Sequence, residues 1–420
     1  MEVTLVANDV GGLGGMEQQL AELVEGLVHA GDDVTVIART CDVRVPVAFH
    51  RVRGPARPFA IAYPWFLLAA SLVLGRHRRG IVQATGAIVL NRVDVTAIHF
   101  CHRGSARRSP ADRGGRSTLP FRAHASVARL LARAGERVCL RPSRIRRLLA
   151  VSPGAGAEIA RCYPALADRI TVIGNGVDRN RFRPASPNER AAARAKFGLP
   201  DDERCAVFVG GDWGRKGLTH AIESLVAAAD WHLAVAGKGD DTAYRQLARN
   251  FGVVDRVHML GVIRDTPTLY HAADAFVLPS AYETFSLVAY EAAASGLPLV
   301  ATTVSGIEDV LIDGVTGFRV APDGVDIARR LRELAAAPER AAAMGAAARE
   351  RTARYAWGAM VARHKDLYGE LDHGRSRAPV EDVPGQPVNS VRRLDDTSQM
   401  ERAAVSAGSR DAVRRRRVRS

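Results

Sequence analysis

An α/β chain of two doubly wound halves is predicted by three observations. Strand, loop and helix patterns alternate along most of the sequence, the alternation pauses at a turn-rich connector near residue 176, and it then restarts. In the first half Val3–Ala7 reads as a strand, Gly11-Gly12-Leu13-Gly14-Gly15 as a loop and Met16–His29 as a helix. Val34–Ala38, Ile81–Ala84, Val93–Ile98 and Leu148–Val151 follow as short apolar strands. The connector holds Gly174-Asn175-Gly176, with Pro184 and Pro187 beyond it. Ala206–Val209, His232–Ala236, Val257–Leu260, Ala275–Leu278 and Leu299–Ala301 are the strands of the second half. No repeat of 20–50 residues underlies the pattern.

This gives boundaries of 1–175 for the first domain and 176–352 for the second. Residues 353–371 form a helix carrying Trp357, Met360, Val361, His364, Leu367 and Tyr368 at helical spacing, expected to return to the first domain. Residues 372–420 are rich in Pro, Ser, Asp and Arg and poor in apolar residues. They cannot bury enough surface to offset their ordering entropy, so a disordered basic tail is expected.

With 420 residues, 47% of them hydrophobic and 25% charged, the chain can fill two cores. Met1 and Glu2 lead straight into the first strand, without the pattern of a secretory signal. The apolar run Phe59 to Leu74 is shorter than a bilayer span and contains Pro64, so a buried core helix is expected. Five scattered cysteines with no CxxC pair fit a reducing cytosol and speak against a disulfide framework or a structural zinc. The formal charge is +14 and the pI about 10.2. Such a charge bears on partners rather than on fold.

Four local patterns carry chemistry. Tyr282 to Pro298 follows an apolar strand with a loop and then a helix from near Ser286, stopped by Gly296 and Pro298. It places Glu283 before the helix and Glu291 inside it, a reach of at most about 12 Å at the helical rise. That matches the span from a donor hexose, across a diphosphate, to a ribose, with the free N–H groups of the helix start facing the phosphates. The plain alternative is a carboxylate suited to the helix dipole and a solvated glutamate. Second, Gly210-Gly211-Asp212-Trp213-Gly214-Arg215-Lys216-Gly217 sets two cations at the start of a predicted helix running to about Ala229. Opposing the dipole costs roughly 0.3–1 kcal/mol each, a cost that a bound phosphate reverses. A solvated loop with Asp212 as counter-ion competes with this, and the GxxxxGK[ST] spacing of a P-loop is absent.

Third, the Gly11–Gly15 loop lets backbone approach a phosphate or sugar. It lacks the full GxGxxG, since Glu17 stands three after Gly14, and Asp32 and Asp33 precede the second strand rather than end it. A dehydrogenase is therefore the runner-up. Fourth, Ile98-His99-Phe100-Cys101-His102 closes a strand, where side chains face the crevice of an open sheet. A structural histidine is the alternative for His99, and a zinc site at His99, Cys101 and His102 lacks a second ligand pair.

Together these residues resemble the family-4 retaining glycosyltransferases over roughly residues 1–371. Glu283 to Glu291 matches the family's E-x7-E motif, Lys216-Gly217 its donor-phosphate Lys-Gly, and Asn175-Gly176-Val177-Asp178 its interdomain connector. Tyr270-His271-Ala272-Ala273-Asp274 resembles the segment before the last donor-side strand. Many members place an arginine where Gly211 stands here. Asp-aromatic-x-Arg-Lys-Gly is closest to the lipopolysaccharide-core glucosyltransferase-like branch, in which Arg215 would supply that charge.

The resemblance implies a GT-B fold of two facing Rossmann-like domains and transfer of a hexosyl group from a UDP- or GDP-sugar to an acceptor, lipid-linked or a cell-envelope glycan. It assigns catalysis to His99, Arg215, Lys216 and Glu283. It assigns donor binding to Gly14, Gly15, Arg215, Lys216, Glu283, Thr284, Phe285, Ser286, Leu287 and Glu291. No metal and no cofactor beyond the donor are implied, and Asp201-Asp202 and Asp240-Asp241 read as solvated loops.

A GT-B enzyme of other chemistry, such as an epimerase or phosphorylase, is the remaining enzymatic alternative. A nucleic-acid-binding protein rests on charge alone, without a recognisable module. From Cys101 to Arg147 the sequence has thirteen arginines against Asp112 and Glu136. Within that stretch a predicted helix, Phe121–Leu140, repeats arginine at Arg129, Arg133 and Arg137, an arrangement that calls for an anionic partner. The expectation is a cytoplasmic enzyme resting peripherally on an anionic membrane.

Overall fold

A computed structural model describes residues 1–12, 14–104 and 119–376 of the chain. Leu13 and the larger part of the expected tail, 377–420, lie outside the described residues, as do 105–118 of the arginine-rich stretch.

The strands are β1 (Glu2–Val6), β2 (Asp9–Val10), β3 (Asp33–Ala38), β4 (Thr40–Cys41), β5 (Ala48–Arg51), β6 (Ile81–Thr85), β7 (Val93–Ile98), β8 (Ile145–Ala150), β9 (Ile170–Val172), β10 (Arg204–Val209), β11 (Trp231–Ala236), β12 (Val257–Gly261), β13 (Ala275–Leu278), β14 (Leu299–Ala301) and β15 (Gly317–Arg319). The first half is a parallel sheet in the order β5-β3-β1-β6-β7-β8-β9, and the second a parallel sheet in the order β12-β11-β10-β13-β14-β15. β2 and β4 form a separate two-stranded pair. Both large sheets start in the middle and run outward in both directions. Each therefore has a crevice where its chain order reverses, between β1 and β6 and between β10 and β13.

Residues of β6, β7, β11 and β13 are buried throughout, as expected of parallel strands covered by helices on both faces. Ser186 and Glu189 form a reciprocal capping box at the helix Pro187–Phe197, which Gly198 ends in a left-handed conformation at φ 64°. Such caps fix where helices start against the sheet edges.

The last helix spans Trp357–Ser376. Its Met360, Val361, Leu367, Tyr368 and Leu371 share one core with Val3, Leu5, Leu23 and Leu27 of the first half. Residues 372–376, read from sequence as the start of a disordered tail, belong to this helix. Low apolar content beyond Leu371 suggested an end there, yet a helix already anchored by Tyr368 and Leu371 propagates through Asp372 and His373 at little cost.

The helix Phe59–His77 also departs from expectation. Only the stripe Ala62, Phe66, Ala70 and Leu74 is buried, whereas Ile61, Trp65, Leu68 and Leu72 are between 53% and 62% exposed. The helix covers one face of the sheet, and its outer side stays largely open, with Trp65 Nε1 donating to the Arg53 carbonyl at 2.9 Å.

Candidate active site

The loops after β10 and β13 leave adjacent strands at the reversal point of the second sheet, so their residues meet although 67 positions separate them. Lys216 Nζ donates to Glu283 Oε1 at 2.7 Å, Arg215 Nη1 lies 3.3 Å from the same oxygen, and Ser280 Oγ donates to it at 3.0 Å. Lys216 and Glu283 are each only 8% exposed. Arg215 also donates to the Tyr282 carbonyl and, through Nε, to Asp212. Burial works against its charge, but Glu283 and Asp212 outweigh that and hold its pKa above the ordinary value.

The predicted continuous helix behind the two cations is instead two short ones, Trp213–Lys216 and Leu218–Ser224. Gly217 separates them at φ 78°, and a Cβ there would strike the Pro279 carbonyl at the end of β13. Arg215 and Lys216 thus sit in the last turn of a four-residue helix. The repulsion expected from a helix start does not arise, and Glu283 supplies the compensating charge.

Glu291 lies in the helix Leu287–Ala294, which begins after Ser286. Tyr270 Oη donates to Glu291 Oε2 at 3.1 Å and to the Val288 carbonyl at 3.2 Å. Burial pushes the Glu291 carboxyl up to about 7, partly opposed by the Tyr270 hydrogen bond and the Arg181 charge. Glu291 and Leu287 line a cleft shared with Gln18 and Glu22 of the first half and with Arg181. Ser286 Oγ is buried without a hydrogen-bond partner among the described residues.

Thr284 ties the two halves together. Its Oγ1 donates to the His99 carbonyl at 2.5 Å, and its own carbonyl accepts from Ser152 Oγ at 2.7 Å. Phe285 stacks on Tyr290 with ring centroids 4.4 Å apart. Gly15 opens the helix Gly15–His29, and a Cβ on it would lie 3.0 Å from Leu287 of the second half. Gly14 is the N-cap of that helix, and a Cβ there would meet the Glu17 carboxylate. His99 follows β7. Burial, reinforced by His364 of the last helix, lowers its pKa to about 4, so the ring is neutral at physiological pH.

Of the predicted residues, Leu287 and Glu291 line the cleft between the halves, and Gly15, His99 and Thr284 make close approaches across it. Arg215, Lys216 and Glu283 are in direct contact, Glu291 stands apart with Tyr270, and His99 approaches from the first half. Sequence reasoning missed Ser280, Ser152 and the bracing role of Tyr270. Of these only Tyr270 carried a signal, as an aromatic residue just before a buried strand.

Two parallel α/β sheets, with a cation pair beside one glutamate and a second, partly buried glutamate eight residues on, define a two-domain α/β protein with a charged site between its halves. The model of glycosyl transferases group 1 matches residues 189–351, and that of glycosyltransferase family 4 matches residues 13–181. A D-inositol 3-phosphate glycosyltransferase of Thermobispora bispora is 30% identical over 408 residues, covering 88% of this chain and 93% of that protein. Among solved structures, WaaG, a glycosyltransferase involved in lipopolysaccharide biosynthesis, superposes with a TM-score of 0.71 at 20% identity, covering 87% and 99% of the two chains. Anabaena Alr3699/HepE in complex with UDP-glucose gives 0.67 at 19%, covering 90% and 99%. The chain belongs to the family-4 glycosyltransferases, and its fold is the GT-B arrangement of two Rossmann-like domains.

Proposed function

We propose that the protein transfers a hexosyl group from a UDP- or GDP-sugar to an acceptor with retention of configuration. The observation that carries this reading is the convergence of Lys216 and Arg215 on Glu283 at the reversal point of the second sheet. In the proposed complex the two cations turn to the diphosphate, Glu283 accepts hydrogen bonds from the hexose hydroxyls, and Glu291 accepts those of the ribose. The neutral His99 ring touches the donor sugar from the first half, and Gly14 and Gly15 let backbone come close to it.

The bond from the anomeric carbon to the phosphate oxygen breaks as the acceptor oxygen bonds to that carbon on the same face. The acceptor's proton passes to the leaving phosphate oxygen. Arg215 and Lys216 stabilise the charge that gathers there, which is catalysis by preorganised electrostatics and positioning. No metal is required by this scheme. UDP-glucose bound to HepE supports a nucleotide-sugar donor. The acceptor is proposed to be lipid-linked or an envelope glycan. Inositol 3-phosphate, after the Thermobispora relative, is the competing acceptor.

A panel of UDP- and GDP-sugars tests the reading, first by thermal shift and then by release of nucleoside diphosphate with each acceptor class. Saturating donor at about a hundred times its Kd adds about 2.7 kcal/mol of stability. Glu283→Ala and Lys216→Ala should each lower turnover roughly ten- to hundred-fold, the worth of one charge-assisted hydrogen bond. The reading fails if no donor stabilises the protein, or if both variants keep wild-type turnover.

A further inference from the structure

We propose that the outer side of the helix Phe59–His77, with the adjoining turn of Leu119–Cys139, is a docking surface for an anionic lipid bilayer. Ile61, Trp65, Leu68 and Leu72 recur at spacings of four, three and four and form one stripe, about 16 Å long at the helical rise. Each is more than half exposed. Leu130, 67% exposed, extends the apolar surface onto the neighbouring helix, where Gly135 allows close approach to Tyr63. Isolated exposed leucines are ordinary on a protein surface, but a continuous stripe with an aromatic residue in it marks an interaction face.

The surrounding charge selects the partner. Between Asp42 and Asp94 the sequence holds eight arginines and no acidic residue. Arg76, Arg78 and Arg79 follow the end of the stripe, and Arg129, Arg133 and Arg137 are exposed on the second helix. Arg78 is already paired with Asp94 at 3.4 Å, whereas none of the last three forms an ion pair among the described residues. A second copy of the chain applied to this face would bring arginine against arginine. An anionic bilayer satisfies both features, taking the apolar stripe into the acyl boundary and the guanidinium groups at its phosphates.

Phe59–His77 is long and apolar enough to cross a membrane, with a mean hydropathy of 1.5 over its most apolar window. Its inner stripe, Phe66, Ala70 and Leu74, is held in the core of the first half, so the helix lies along the interface plane rather than through it. This inference is independent of the transfer chemistry. It also adds an insertion component to the purely electrostatic attachment that the arginine-rich sequence implies.

Trp65 supplies the readout. Trp213 and Trp231 are buried, Trp357 is half-buried, and Trp65 alone of the four is exposed. The full chain is titrated with vesicles of equal parts phosphatidylglycerol and phosphatidylcholine at low salt and at about 0.5 M, where surface charge is screened within a few ångströms. The expected result is a blue shift of tryptophan emission, quenched by brominated acyl chains and lost in Trp65→Phe. The double variant Leu68→Ser/Leu72→Ser should partition at least tenfold more weakly at both salt concentrations. Arg129→Ser/Arg133→Ser should weaken binding only at low salt. All these side chains are exposed, and unchanged melting temperatures will show that the variants fold. Absence of a shift with anionic vesicles, wild-type partition of the leucine variant, or equal partition into pure phosphatidylcholine overturns the proposal. So does a lipid-free dimer that buries Trp65.

Discussion

Lys216 holds Glu283 through a hydrogen bond of 2.7 Å between Nζ and Oε1, with both side chains about nine-tenths buried. The two residues follow neighbouring parallel strands, β10 and β13, and so the topology of the sheet creates the pair. Lys216 and Arg215 are the groups proposed to take a diphosphate, and in that proposal donor binding would also release Glu283 toward the sugar.

A double-mutant cycle measures that pair. Lys216→Ala should cost about 1–3 kcal/mol of stability, less than a fully isolated buried charge because Arg215 and Ser280 still reach Glu283. Combined with Glu283→Gln, the loss should be smaller than the sum of the two singles by at least about 1 kcal/mol in urea unfolding. Additive losses would show that the contact contributes nothing in the donor-free protein.

Most of the central strands were legible because parallel strands buried on both faces read as short apolar runs between glycines and helices. Ala48–Arg51, Ile170–Val172 and Gly317–Arg319 were not, since an edge strand of three or four residues needs little apolar surface. The E-x7-E pair and Lys216-Gly217 were visible as spacing and residue type. That Gly217 breaks the helix was not, because its cause is the Pro279 carbonyl, contributed by a strand sixty residues away. The apolar run from Phe59 misled in the opposite direction. Composition reports how apolar a helix is and not how many sides of it find partners.

Arg194 should prove the most sensitive surface-type residue in the second half. It is 1% exposed, and its guanidinium donates to the carbonyls of Ala272, Pro200, Asp201 and Glu203 and to Asp274 Oδ2 at 2.7 Å. Asp274 in turn accepts from Cys205 N at 2.8 Å, locking the start of β10. Arg194→Met leaves four carbonyls short of a donor, while Arg190 still pairs with Asp274 at 2.5 Å, and should cost about 1–3 kcal/mol. Arg194→Lys should recover little of it, because an ammonium cannot span the fork. A melting temperature unchanged in either variant contradicts this.

The last helix makes a similar claim on the first half. Tyr368 is fully buried and its Oη donates to Gln83 Oε1 at 2.8 Å, within β6. Tyr368→Phe keeps the packing and strands the amide oxygen, for an expected loss of about 1–3 kcal/mol. Leu367→Ala opens a cavity and should lose about 2–5 kcal/mol. If chemical denaturation shows neither loss, the helix is not part of that core.

Glu291 should link stability to pH and, in the proposed donor site, affinity as well. In the folded protein its carboxyl sits near 7, against 4.5 for an ordinary glutamate. Between those values the folded chain keeps a proton that the unfolded chain has released. This contribution to stability is therefore complete below about pH 4.5, is lost as pH rises through 7, and then levels off. The rise corresponds to roughly 3 kcal/mol. His99 and His364, both lowered to about 4 by burial, act with the opposite sign, since their stability is lost as pH falls below 6.5. The whole protein thus gives a composite curve, and the difference between wild type and Glu291→Gln isolates the glutamate. That difference should favour the variant progressively from pH 5 to pH 8. Binding should run the other way. A ribose hydroxyl donates more strongly to a carboxylate than to a protonated acid, whose charge is gone and which has fewer free lone pairs. Wild-type affinity for UDP or GDP should therefore climb by several-fold up to about tenfold between pH 6 and 8. Glu291→Gln should bind more weakly at pH 8 and lack that climb, a comparison that also removes the titration of the diphosphate itself. Calorimetry giving parallel pH profiles for the two proteins would place Glu291 outside the donor site.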